Sequence, residues 1–141
     1  MGRRAAAQGF GAERRVRQRA QFRIAQRLGR KVVRRHFILL VYARDAAVPG
    51  PARLGLVVSK RVGNAVRRNR TKRVIREAFR RSGQLFPADF DILVIARPSL
   101  SELGSDAVLA EFCALKPALE RSVAQAAKDR EIRQSRLAVS S

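Results

Sequence analysis

The sequence predicts a single α+β domain of about four strands and three helices. Three observations lead there. Two nearly unbroken apolar runs, His36–Arg44 and Asp91–Ala96, have the length and aliphatic character of buried strands. Helical segments, about Arg19–Leu28, Asn64–Arg81 and Asp106–Ala127, are interleaved with them and bounded by glycine and cap residues. In the middle, Lys60–Arg81 carries ten Lys or Arg against Glu77 alone.

A chain of 141 residues accommodates one modest core. With 46% hydrophobic residues it is not a disordered polycation. A net charge of +20 destabilises a compact chain by self-repulsion, so an anionic partner is expected. Nucleic acid leads, because each Lys or Arg on a phosphate releases condensed counterions. An anionic membrane is the weaker partner: there is no Trp and no long basic helix with a broad apolar face. No apolar run approaches the roughly 18 residues of a membrane span. The start, MGRRAAAQGFGAERR, lacks the apolar stretch of a secretory signal, and Ala6 breaks the myristoylation pattern after Gly2. Cys113 stands alone, excludes an internal disulfide and is expected as a buried thiol in an apolar helix. These features fit the cytoplasm.

In chain order, residues 1–14 read as a disordered basic arm, 15–127 as one RNA-binding domain and 128–141 as a flexible tail. The first helix, Arg19–Leu28, stops at Gly29, has a poor N-cap in Arg19 and carries Phe22 as its one large aromatic. Val32-Val33 suits a short strand. In His36–Arg44, Phe37, Leu39 and Val41 share one face and Ile38, Leu40 and Tyr42 the other, so both faces need cover. Pro49-Gly50-Pro51 punctuates a loop, and Arg53–Ser59 is the next strand, naturally a hairpin partner of the one before. After Asp91–Ala96, Ser101-Glu102 and Ser105-Asp106 offer caps for the last helix. Pro117 should kink or split it, and the apolar period fades from Lys128.

The central helix is the informative one. Val62-Gly63-Asn64 turns strand into helix with Asn64 as N-cap. At about 100° per residue, Thr71, Val74, Ile75, Ala78 and Phe79 form a core-facing side. Asn69, Lys72, Arg73, Arg76 and Arg80 form an almost unbroken cationic stripe. Like charges at i and i+4 destabilise a helix, so a solvated face explains them poorly and phosphate binding explains them well. Asn69 adds a donor and acceptor within reach of a phosphate, a 2′-OH or a base edge. The helix N-terminal amides at Gly63-Asn64 favour phosphate, although an ordinary cap reads equally well. Catalytic groups are sparse. His36 is the only histidine and suits a strand-edge structural role, and Asp89 with Asp91 suits capping or loop solvation better than two-metal ligation. No nucleophile–base pair is evident, so chemistry would sit in a partner.

The run Leu56-Val57-Val58-Ser59-Lys60-Arg61-Val62-Gly63-Asn64-Ala65-Val66-Arg67-Arg68-Asn69-Arg70-Thr71-Lys72-Arg73-Val74-Ile75-Arg76-Glu77 closely resembles the Arg-Asn-Arg region of the protein subunit of bacterial ribonuclease P. The flanking Ser-Lys-Arg-x-Gly-Asn-Ala-Val and Lys-Arg-x-x-Arg-Glu are in register with it. The resemblance extends to Phe22, the strand at Phe37 and Asp91–Arg97, hence to about residues 14–127.

This resemblance implies an α/β sandwich of four strands with a left-handed βαβ crossover, the ribonuclease P protein-like (ribosomal protein S5 domain 2-like) fold; pattern alone would favour the right-handed crossover. It implies a non-catalytic protein subunit, a monomer in a 1:1 ribonucleoprotein. That subunit binds the catalytic RNA and the 5′ leader of precursor tRNA, while the RNA and its Mg²⁺ cleave the phosphodiester. Lys60, Arg61, Asn64, Arg67, Arg68, Asn69, Arg70, Lys72, Arg73 and Arg76 are the expected RNA contacts. Phe22, Leu40 and Tyr42 are expected in the leader cleft between the first helix and the sheet. Gln26 and Leu40 stand where the family often carries aromatics, which implies weaker stacking on the leader or a shift to Tyr42 on the same face. A structural RNA-binding protein would share the charge without needing such a cleft, and a protein-only nuclease is the more distant alternative.

Overall fold

The computed structural model describes Arg15, Val16 and residues 19–140, with Ser140 described by its backbone alone; the arm expected over residues 1–14 lies outside them. The elements are α1 (Arg19–Leu28), β1 (Arg30–Val33), β2 (Phe37–Ala43), β3 (Arg53–Val57), α2 (Ala65–Arg81), β4 (Phe90–Ala96), α3 (Ser105–Ala114) and α4 (Lys116–Ser140). The strands form one mixed sheet in the order β1-β2-β4-β3. β2 is antiparallel to both β1 and β4, whereas β3 runs parallel to β4 with α2 in the crossover between them.

The hairpin expected between β2 and β3 therefore does not form, because β4 lies between them. The two most apolar strands need neighbours on both edges and take the centre. β3, with Gly55 and the part-exposed Arg53, takes the edge. The Pro49-Gly50-Pro51 loop crosses the end of the sheet instead of closing a tight turn. Arg44 ties it down by donating to the carbonyls of Val48, Gly50 and Pro51 at 3.0, 3.0 and 3.1 Å. The Gly50 N–H donates to Asp89 Oδ1 at 2.9 Å.

Beneath that loop Asp91 is buried. It accepts from Arg44 Nη1 at 3.0 Å, and from Arg53 Nε and Nη2 at 2.8 and 2.9 Å. Loop solvation is thus the wrong account of Asp91: it joins three strands at one end of the sheet. His36 does take a structural place, its Nδ1 lying 2.8 Å from Ser99 Oγ.

One sheet face packs Phe37, Leu39, Val41, Ile92 and Val94 against Ile75 and Phe79 of α2, Phe112 of α3 and Leu119 of α4. Among the described residues, α1 and Val16 cover the other face over a small cluster of Ala25, Leu40 and Leu93. Phe22, Tyr42 and Ile95 remain half-buried at its margin.

The C-terminal half departs from expectation in three ways. The predicted helix divides at Leu115 into α3 and α4, so the described residues hold four α-helices; Pro117 is the second residue of α4, where its missing N–H breaks no hydrogen bond. The tail expected from Lys128 is helical to Ser140. Charge rather than apolar period seats it: Arg30 holds Asp129 in a two-pronged pair at 2.8 and 2.9 Å, and Arg133 Nη2 donates to the Ala43 carbonyl at 2.7 Å. β1 begins opposite Val41, so the end of β2 has an open edge, and α4 covers it. Cys113 is exposed, because Phe112 and Leu115 take the core-facing positions around it.

Candidate nucleic-acid interface

The junction before α2 is set by three residues. Ser59 caps a single 3-10 turn over Lys60–Val62, accepting from the Arg61 N–H at 3.3 Å. Gly63 has φ 149°, a conformation that disfavours any side chain, and an added Cβ would meet Arg67 Cδ at 2.6 Å. Asn64 then caps α2, its Oδ1 accepting from the Arg67 N–H at 2.9 Å. The tight entry places Lys60, Arg61, Asn64 and Arg67 together as exposed groups at the N-terminal end of the helix.

Along α2 the cations are not equivalent. Asn69 and Arg73, four residues apart and so on one face, are exposed, as is Arg67 on another side of the helix. Arg68 folds back to donate to the Gly63 carbonyl at 2.9 Å, and Arg70 donates to the Ser101 carbonyl at 3.1 Å, so both also brace the fold. At the far end, Arg80 pairs with Glu77 at 2.6 Å and Arg81 with Asp106 at 2.7 Å. Glu77 lies below its usual pKa chiefly through the Arg80 hydrogen bond. The cationic stripe is thereby partly neutralised in its last turn, while its first three turns are rich in cations facing solvent.

Lys72 and Arg76 turn toward α1. They line a recess of about 260 Å³ with Arg15, Val16, Phe22, Leu54 and Leu56. Burial, with Arg15 nearby, holds the Arg76 guanidinium below its usual pKa; an arginine remains charged even so. The Phe22 ring reaches over β3 because Gly55 leaves room: a Cβ there would meet Phe22 Cζ at 3.0 Å. An aromatic ring and two cations from different helices thus share one groove.

The other expected cleft residues separate. Leu40 is 4% exposed, covered by Ala25 of α1, so it is floor rather than contact surface. Tyr42 lines a different recess, of about 130 Å³, with Gln21, Ile24 and Arg53. Its ring lies under the Arg133 guanidinium at 4.7 Å. Sequence reasoning overlooked Val16, Gly55 and Arg133. A lone glycine inside the strand run Arg53-Leu54-Gly55-Leu56 was a usable signal of close approach; nothing local announced Arg133, which is distant in sequence from Tyr42. Among the described residues, no three His, Cys, Asp or Glu come together as a metal site.

Comparison with known proteins agrees with this architecture. A family model described as Ribonuclease P matches residues 10–120, so residues 121–140 of α4 lie beyond the match. The ribonuclease P protein component of Syntrophus aciditrophicus is 39% identical over 89 residues, 63% of this chain and 72% of the relative. That of Thermotoga maritima is 38% identical over 93 residues, 66% of this chain and 77% of the relative. Among solved structures, the T. maritima protein superposes with a TM-score of 0.56 at 33% identity, covering 77% of this chain and 94% of that one. The Staphylococcus aureus protein gives 0.55 at 30% identity, covering 80% and 94%.

Proposed function

The chain belongs to the ribonuclease P protein family, and from that premise we propose that α2 docks the catalytic RNA while the Phe22 groove receives the leader of precursor tRNA. Members of the family work with an RNA subunit in an endoribonuclease that removes the tRNA 5′ leader. The observation that carries the finer reading is the groove itself. Single-stranded RNA without a fixed sequence is held by backbone charge and by stacking on aromatic rings, and Phe22 with Lys72 and Arg76 offers both. Lys60, Arg61, Asn64, Arg67, Asn69 and Arg73 are the solvent-facing contacts for the catalytic RNA, joined by the remaining donors of Arg68 and Arg70.

In this reading the protein is a monomer in a 1:1 complex with the RNA, within the cytoplasm. No helix of the described residues is long and apolar enough to cross a membrane. The Asp91 carboxylate is taken up by Arg44 and Arg53, which leaves it poorly suited to a metal ion. Mg²⁺ in this reading is held by the RNA, as the family resemblance implies.

The test compares 5′ cleavage of precursor tRNA by protein alone, by RNA alone at low Mg²⁺, and by both together. Stimulation only in the mixture supports the assignment, whereas cleavage by protein alone refutes it. Phe22→Ala should weaken binding of precursor more than of mature tRNA; equal losses would remove Phe22 from the leader path.

A further inference from the structure

Tyr42 lies in a recess of its own, lined by Gln21 and Ile24 of α1, and its ring is already in contact with a cation. Arg133 reaches it from the part of α4 beyond the family match, with its guanidinium carbon 4.7 Å from the ring centroid. The guanidinium is held in place at its rim: Nη2 donates to the Ala43 carbonyl at 2.7 Å and approaches Asp45 at 3.5 Å. With Nη2 held by Ala43 and Asp45, its plane over Tyr42 and its side chain still 25% exposed, Arg133 is an anchored, partly open planar surface. Below it, Asp129 is locked to Arg30, so the turn that bears Arg133 is itself anchored.

The surroundings indicate what such a surface takes. The Tyr42 recess continues, through shared Asp45, into an open concavity lined by Arg133, Arg136 and Leu137. Asp45 is 54% exposed and repels a phosphate placed directly over Arg133. A neutral aromatic base meets no such penalty, and a guanidinium plane is a good stacking partner for a base. Arg136, exposed one turn further on, is free to meet the phosphate that follows.

We infer that Arg133, seated on Tyr42, is a base-stacking platform for single-stranded RNA, supplied by the C-terminal extension of α4 and extending the leader path past the Phe22 groove. This rests on the proposed leader reading. It also accounts for Leu40 and Gln26: aromatic area absent from the floor of the cleft is replaced at its edge by an Arg–Tyr stack.

The test uses the full chain assembled with its catalytic RNA, and two precursor tRNAs, one with a long single-stranded leader and one with the leader trimmed to a single nucleotide. Arg133→Ala should weaken binding of the long-leader precursor by roughly five-fold or more and leave the trimmed one unchanged. Arg133→Lys keeps the charge and a donor for Ala43 but has no plane, so it should recover less than half of the loss. This variant carries the test if the alanine change loosens α4. Equal losses on both substrates, or full recovery by lysine, would overturn the platform and leave Arg133 as an edge clamp. Phe22→Ala measured in parallel separates the two ideas. Leader-independent behaviour there, with leader-dependent behaviour at Arg133, refutes the groove and keeps the platform.

Discussion

Arg44 and Asp91 meet at 3.0 Å with side chains 3% and 2% exposed, joining β2 to β4 where the loop to β3 crosses the sheet. Arg53 completes the cluster from β3, its guanidinium raised above its usual pKa chiefly by the hydrogen bond to Asp91. Removing one partner of a buried pair leaves the other charge unanswered. Asp91→Ala is therefore expected to lower unfolding free energy by roughly 3–5 kcal/mol in urea titrations. A change below about 1 kcal/mol would mean that water readily replaces the carboxylate.

Gly55 should matter to binding more than its position suggests. A methyl group there meets Phe22 at 3.0 Å and Leu93 at 3.2 Å, and the half-buried Phe22 ring is the neighbour that can move. Gly55→Ala is expected to leave the sheet folded by circular dichroism and to reduce the preference for precursor over mature tRNA. An unaltered preference would show that the ring position is not read by the leader.

The charge pairing along α2 predicts a division in salt dependence. Replacing Arg67, Lys72 and Arg73 by Ala should flatten the slope of log affinity for RNA against log salt by roughly two to three units. Replacing Arg80 and Arg81, which already face Glu77 and Asp106, should change it by less than about one unit. Similar slopes for both sets would mean that the helix meets RNA along its whole length.

The seating of α4 should be acid-sensitive. Asp129 is held below its usual pKa, first by the Arg30 hydrogen bond. A carboxylate depressed in the folded state adds stability that is complete above its unfolded pKa and lost as pH falls through the folded one. The clamp is thus intact at neutral pH and released only below the ordinary carboxylate range of about 4. Amide exchange in residues 128–137 should quicken there, and Asp129→Asn should show the quickened exchange already at pH 7. No difference between the two proteins would assign the seating to Arg133 alone.

The α2 segment was legible because every local signal agreed. Gly63 marks a backbone conformation hostile to side chains, Asn64 is a cap, and Thr71, Ile75, Ala78 and Phe79 recur at helical spacing, so that the opposite face had to be cationic. Strand existence was legible for the same reason: β2 and β4 are apolar runs too long for loops and too short for most helices. Strand partners were not. Nothing in Arg53–Val57 says whether it pairs with the strand before or the strand after. That choice rests on which strand needs two neighbours, and on the buried pairing of Arg44 and Asp91, which stand at the ends of two predicted strands with nothing local to show that they meet.

By itself, then, the sequence determined the elements as far as α3, the cationic helix and its entry turn, all properties of neighbours along the chain. Only the tertiary structure decided what those elements face. It took Leu40 out of reach under Ala25, put Phe22 beside Lys72 and Arg76, neutralised the end of α2, and carried Arg133 onto Tyr42. Those contacts join residues far apart in the chain, through packing and charge pairing that no short-range periodicity encodes.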